Sequence, residues 1–356
     1  MMKLRFAVFS PHGQPTANRG CPWHAAWLMA LAAGMAMLAG CGSGDGTPTS
    51  TAKKDKRPTL AGIVFQEDEF FRLVLFGMRD AAKKANVELL VGYSNNQPTK
   101  EAELVNTYIV RKVDAILVSA VSKKGSVAAL KAANDKGIKI ICHNTPLDAD
   151  FPPVYIECSP ADLGEQTGKA ARKYIEEKLG GKAKIGILAF KSQVPEQSDA
   201  RVGGFKKEVT QLPGVEIVAE QDAWLALPAV AKAGDILTAN PDINILYSAN
   251  EGGTVGAVLA VKNAGKVGKI VVFGTDFNAQ LIGFLQSQDN ILQAITAQRP
   301  FEVGQMAVES ALKVLKGEPV EKPIYLKGVC LSRTDPAGIT DFDAKLKEWI
   351  AKGQGQ

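Results

Sequence analysis

The sequence predicts an α/β protein built from two doubly wound parallel-sheet lobes. Three observations predict it. Short apolar runs of strand length alternate with longer runs of helical period from Leu60 onward. Strands separated by helices imply parallel pairing with right-handed crossovers. The alternation starts afresh after about residue 160, giving two similar βα halves, and 356 residues with 46% hydrophobic content can fill two medium cores.

The first unit sets the pattern. Thr59-Leu-Ala-Gly-Ile-Val-Phe65 reads as a buried strand and Phe70 to Lys84 as an amphipathic helix, joined by Gln66-Glu-Asp-Glu69. In open parallel sheets ligands bind beyond the carboxyl ends of the strands, which makes this connector the first place to look for a site. Phe70 and Phe71 are adjacent on the helix, about 100° apart, so they do not share one core stripe. One is then free to face a ligand. The same residues also suit a structural reading, with both rings in the core and the acids at a helix N-terminus, where carboxylates are favoured.

The remaining elements follow in order. Strands are predicted at 87–93, 114–119, 138–143 and 153–157, with helices at 98–112 and 124–136 between them. Asn86 and Gly137 stand where helices should stop, and Pro98 stands in a first turn. The second half reads as helix 161–179, strand 183–190, helix 199–211, strand 215–221, helix 227–239, strand 243–247, helix 252–264, strand 268–273, helix 277–286 and strand 291–296. A helix at 301–316, an extended segment at 322–331 and a last helix at 339–352 complete the chain. The duplication is architectural, with no residue-level repeat.

The N-terminus reads as an address. Lys3, Arg5 and Arg19 precede the apolar stretch from Ala25 to Leu38, which meets Leu38-Ala39-Gly40-Cys41. This is the three-part plan of a secretory signal at 1–40, and its apolar part is shorter than the ~20 residues of a spanning helix. An uncleaved transmembrane anchor is the competing reading. Small residues directly before a cysteine that ends the apolar run resemble a lipoprotein cleavage site, which implies lipid on Cys41. Residues 41–57, rich in Gly, Ser, Thr and Lys, have the composition of a flexible tether.

The formal charge of +5 falls to +2 once Lys3, Arg5 and Arg19 are set aside, since no acid precedes Cys41. Such a balance, with no Lys/Arg block beyond Lys53-Lys54-Asp55-Lys56-Arg57, gives no electrostatic footprint for nucleic acid. Cys142, Cys158 and Cys330 remain after Cys21 and Cys41, an odd number. A Cys142–Cys158 disulfide and free buried thiols both fit. No cysteine has a partner at metal-ligand spacing, so neither a metal nor a cofactor is expected.

The predicted strand ends, mostly polar, read Gln66, Ser119, His143-Asn144-Thr145, Phe190, Asn250-Glu251, Asp276 and Gln298. Such donors and acceptors suit a hydroxylated ligand, and Phe70, Phe71 and Trp224 supply flat faces for ring C–H groups. From about Arg57 to Arg333 the chain resembles the periplasmic sugar-binding proteins of the ribose-binding type. The landmarks are Phe70-Phe71, Asn95-Asn96-Gln97, Val113-Asp-Ala-Ile-Leu-Val118, Asn134-Asp-Lys-Gly-Ile138, Leu163-Gly164, Ala239-Asn-Pro-Asp-Ile243, Ser248-Ala-Asn-Glu251 and Thr296-Ala-Gln-Arg-Pro300. The resemblance implies two lobes joined by a three-segment hinge near Ser159, Gln298 and Lys327. Their expected limits are 58–159 plus 299–327 and 160–298 plus 328–356.

The resemblance further implies ligand contacts at Gln66, Phe70, Phe71, Ser119, Asn144, Thr145, Trp224, Asn250, Asp276 and Gln298, to which the acidic loop adds Glu69. Two departures stand out. An Asp-Arg pair that clamps ring hydroxyls in ribose binders is Asn144-Thr145 here, and the first arginine of an Arg-x-Arg-x-x-Gly-Phe pattern is Asp199, while Arg201 matches the second, structural one. Neither Thr nor Asp reproduces bidentate arginine geometry, which argues against ribose. With Glu67, Asp68, Glu69, Asp199, Glu251 and Asp276 nearby, a neutral polyol or a ligand with an amine suits the balance.

The implied function is a monomeric, lipid-anchored solute receptor that closes over a sugar, polyol or similar small polar molecule and docks on ABC permease subunits. Delivery of the closed form to a chemoreceptor or sensor kinase is an alternative. An enzyme on the same architecture is disfavoured: Gln66-Glu-Asp-Glu69 stands where a glycine-rich phosphate loop would, and no nucleophile–base set is evident. His143, at a strand end, reads as a satisfied structural histidine.

Overall fold

The computed structural model describes residues 57–354. The leader, Cys41 and all but the last residue of the tether lie outside the described residues.

The first half runs β1 (Thr59–Val64), α1 (Glu69–Lys84), β2 (Glu88–Tyr93), α2 (Pro98–Val110), β3 (Ala115–Val118), α3 (Val127–Asp135), β4 (Lys139–His143) and β5 (Val154–Cys158). The second runs α4 (Pro160–Lys178), β6 (Lys182–Ala189), α5 (Pro195–Val209), β7 (Gly214–Asp222), α6 (Ala226–Ala239), β8 (Ile245–Ser248), α7 (Glu251–Asn263), β9 (Val271–Thr275), α8 (Ala279–Gln286) and β10 (Leu292–Ala297). Then come α9 (Pro300–Leu315), β11 (Ile324–Leu326), β12 (Val329–Ser332) and α10 (Pro336–Gln354).

Two six-stranded sheets result, ordered β11-β5-β4-β3-β1-β2 and β12-β10-β9-β8-β6-β7. The orders match strand for strand, so β4 corresponds to β9 and β5 to β10. In each sheet the order reverses beside the first strand, where a doubly wound sheet opens a crevice at its carboxyl edge. Central strands such as β3 and β8 are buried along their whole length, hence their unbroken apolar sequences.

The predicted extended segment at 322–331 is two strands in two sheets. β11 runs parallel to β5 and β12 antiparallel to β10. The cause is geometric: β11 ends where β5 ends, and only Lys327 and Gly328 separate it from β12. The chain therefore enters the second sheet at the carboxyl end of β10 and runs back against it. All other pairings are parallel.

Matching helix pairs flank the two sheets. A Cβ on Gly77 of α1 would lie 1.9 Å from the Phe301 carbonyl oxygen, and one on Gly304 of α9 would lie 2.0 Å from that of Val74. Between α4 and α5, Gly164 stands in the same relation to Arg201 at 1.9 Å, and Gly204 to Ala161 at 2.3 Å. Backbones this close admit only hydrogen at Cα. The internal repeat missing from the sequence at large is present in these glycines.

Cys142, Cys158 and Cys330 are free thiols. His143 departs from expectation. It is fully buried, but neither ring nitrogen has a hydrogen-bond partner among the described residues. Burial pushes its pKa down to about 3, so the ring is held neutral.

Candidate functional site

The carboxyl ends of both sheets face a cavity of about 450 Å³, within the size range of small-molecule sites. Each sheet supplies one wall.

From the first sheet, Phe65 and Gln66 leave β1 and Asp68 caps α1. One Asp68 oxygen accepts the Phe71 backbone N–H at 2.8 Å and the other accepts the Gln66 side-chain amide. This cap orients the first turn, so that Glu69, Phe70 and Phe71 all line the cavity. The rings of Phe70 and Phe71 meet edge to face at 5.0 Å, and Phe65 stacks on Phe71 at 5.9 Å. Phe71 is a core residue at 6% exposure, Phe70 is half-buried, and both form part of the wall. Burial raises the pKa of Glu69.

After β4, Asn144 and Thr145 reach the cavity. Asn144 sits at φ 59°, in the left-handed region that Asn tolerates better than most residues. Its carbonyl accepts the Gln197 side-chain amide at 3.1 Å, a bond between an element of the first sheet and α5 of the second half.

In the second half Asp276 is the junction. It follows β9 as Asn144 follows β4, and it too has positive φ, at 70°. Its Oδ2 accepts Arg201 Nη1 at 2.9 Å and the Glu251 backbone N–H at 3.3 Å, and its Oδ1 accepts Gln298 Nε2 at 2.6 Å. Arg201 also donates to the Ala249 carbonyl at 2.9 Å and lies 5.1 Å from the centre of the Phe190 ring. Its Nε has no partner among the described residues.

Asn250 caps α7 through its side-chain oxygen and donates its amide to the Trp224 carbonyl at 2.7 Å. Its side chain thus fixes the Trp224 wall. Glu251 accepts from Asn278 at 2.6 Å. Burial, then the charges of Asp276, Glu69 and Asp68, push its pKa up to about 7 against the pull of that hydrogen bond.

A model of the periplasmic binding protein domain matches residues 63–319. The chain belongs to the periplasmic binding protein family. This binding protein is 28% identical over 305 residues to the ABC transporter periplasmic-binding protein YphF of Escherichia coli, covering 83% of this chain and 90% of that one. It is 29% identical to the ribose import binding protein RbsB of the same organism, over 78% and 93% of the two chains. A solved periplasmic solute-binding protein of Actinobacillus succinogenes, with bound D-allose, superposes with a TM-score of 0.72 at 28% identity, covering 80% of this chain and all of that one. These relatives are transport binding proteins, and this chain is a binding protein rather than an enzyme.

Of the residues singled out in the binding protein's sequence, Gln66, Glu69, Phe70, Phe71, Asn144, Thr145, Trp224, Asn250, Asp276 and Gln298 line the one cavity. Two do not. Ser119 is fully buried at the end of β3, 3.5 Å from the Asn144 amide, and supports the wall from behind. Asp199 is corrected outright: it is exposed and pairs with Lys191 at 3.2 Å. The reason is the start of α5 at Pro195, which turns Gln197 and Arg201, one turn apart, towards the cavity and Asp199 away from it. Arg201, read as structural, lines the cavity as well as bracing Asp276. Asp68, Phe190, Gln193, Val194 and Phe277 line it too. Phe190 stands among the predicted strand ends, and Phe277 adjoins one, so the sequence carried a signal for both.

Proposed function

We propose that this binding protein is an extracytoplasmic receptor whose lobes close over a sugar, polyol or similar hydroxylated molecule and present it to an ABC importer. Its lobes would be 58–159 plus 299–327 and 160–298 plus 328–356, acting as a monomer and held to a membrane by lipid on Cys41. The observation that carries the reading is the aromatic-walled cavity at the carboxyl ends of both sheets, with Gln298 beside the β10–α9 crossing bonded to Asp276. Contacts from both walls give a ligand higher affinity for the closed arrangement, which is what drives closure. The relatives named for ribose import and the solved structure with D-allose support a carbohydrate-like ligand. For the anchor, the support is the Leu38-Ala39-Gly40-Cys41 sequence at the end of the apolar stretch.

A thermal-shift screen against pentoses, hexoses, pentitols, inositols and amino sugars tests the ligand class. A ligand with Kd near ~1 μM at ~100 μM adds about 2.7 kcal/mol to stability, a visible shift. No shift with any compound would count against the proposal. Replacing Cys41→Ser should move the protein from the membrane fraction to the soluble one, and persistence in the membrane would favour an uncleaved anchor.

A further inference from the structure

The charge of the cavity wall is unbalanced. Asp68, Glu69, Glu251 and Asp276 line it, and Arg201 is the only lining residue with a fixed positive charge. That guanidinium is already engaged, through Nη1, by Asp276 and the Ala249 carbonyl. Arg72, which acts electrostatically on Glu69 from the next turn of α1, is exposed and does not line the cavity. Three carboxylates from two walls therefore face the space without a cationic partner in it. Their proximity is not only nominal, since Asp276, Glu69 and Asp68 all act to raise the pKa of Glu251.

We infer that the ligand of this cavity is a hydroxylated molecule bearing a protonated amine, of the amino-sugar or aminocyclitol class. This rests on the reading of the cavity as the ligand site and narrows it. With a neutral sugar closed into the cleft, Glu69 and Glu251, whose pKa values burial already raises, would have to take up protons or stay charged without a counter-charge, and both outcomes cost free energy that an ammonium group would spare. An ammonium group supplies that charge with three N–H donors. The aromatic rings of Phe70 and Trp224, one from each wall, also attract cations. The hydroxylated part answers a different feature: the unpartnered Nε–H of Arg201, on a side chain 6% exposed, needs an acceptor. A ligand hydroxyl is one.

Calorimetric titration of the purified protein at neutral pH with matched pairs tests this: glucosamine with glucose, galactosamine with galactose, and an amino-deoxyinositol with myo-inositol. N-acetylglucosamine serves as the charge-free control. At least one amine should bind about tenfold or more tightly than its neutral counterpart, acetylation should abolish the gain, and Glu251→Gln or Glu69→Gln should reduce the preference. If neutral compounds bind and no amine exceeds its counterpart, the inference is overturned while the solute-binding proposal stands. Absence of binding across both sets of compounds counts against both. The pairwise comparison on the unaltered protein decides the matter even if a variant fails to fold.

Discussion

Asp276, at a strand end and in the cavity wall, is also a structural part. Its two oxygens hold Arg201, the Glu251 backbone N–H and Gln298 at once. The Arg201 side chain is 6% exposed and that of Asp276 18%, so the pair is largely shielded from solvent. Removing one partner of such a pair strands the other charge, at a cost of about 3 kcal/mol or more. Asp276→Ala should therefore lower the stability of the unliganded protein by roughly that amount, and Asp276→Asn, which keeps one acceptor oxygen for Arg201 and whose new NH2 can be met if the Gln298 amide flips, by less. Chemical denaturation of the two variants measures this directly. A loss below about 1 kcal/mol for Asp276→Ala would mean that solvent or Ala249 holds the guanidinium unaided. The positive φ of Asp276 and Asn144 repeats at corresponding strand ends of both sheets, so strain is placed where the cavity is formed.

Helices α4 and α5 offer a sharper test, because two neighbouring glycines on α5 have opposite roles. Gly204 faces α4, where an added Cβ would lie 2.3 Å from the Ala161 carbonyl oxygen, whereas Gly203 is exposed with nothing within 4 Å. Gly203→Ala should stabilise by up to about 1 kcal/mol through helix propensity. Gly204→Ala should instead destabilise by about 1–3 kcal/mol as the helices are forced apart. Equal effects in urea titrations would show that the crossing is looser than drawn. The same glycines mark what could be read in advance. The central strands are apolar runs of the right length and the edge strand β7 keeps Val215, Ile217 and Val218 among its acids, so the elements and the two-sheet architecture were legible from residues 59 to 158 and 182 to 297 alone. What local pattern does not contain is the partner across a helix crossing, and Gly203 and Gly204 look alike until α4 is in place. The limit acted on the site through helix phase: the family pattern assigns position 199 to the wall, whereas α5, starting at Pro195, turns Gln197 and Arg201 to it instead. Ser119 failed for a related reason, since a strand end can point beneath a neighbouring loop as well as into a cleft.

At the scale of the whole molecule the open question is what resists separation of the two sheets, and α10 is the element that answers it. Ile339, Phe342, Leu346 and Trp349 form one buried stripe along it. Phe342 meets the ring of Phe277, a cavity-lining residue after β9, at 4.9 Å, while Trp349 stacks on Phe301 at the start of α9 at 5.3 Å. Because α9 packs on α1 of the first sheet, the helix touches both halves, and one apolar cluster joins second-half residues such as Val258 and Leu281 to Leu73 and Phe301. Hinge opening that moves α1 and α9 away from β9 must then break either the Phe342 contact or the Trp349 contact. Trp349→Ala removes the second. It should cost about 3 kcal/mol or more in stability, as expected for a large buried aromatic, and it should also weaken affinity for whichever ligand the screen returns, by releasing the closed arrangement. Denaturation and titration of the same variant separate the two effects. A destabilised variant that keeps full affinity would show that α10 braces the fold without biasing closure. A parallel loss of stability and affinity would place the C-terminal helix in the opening and closing equilibrium itself.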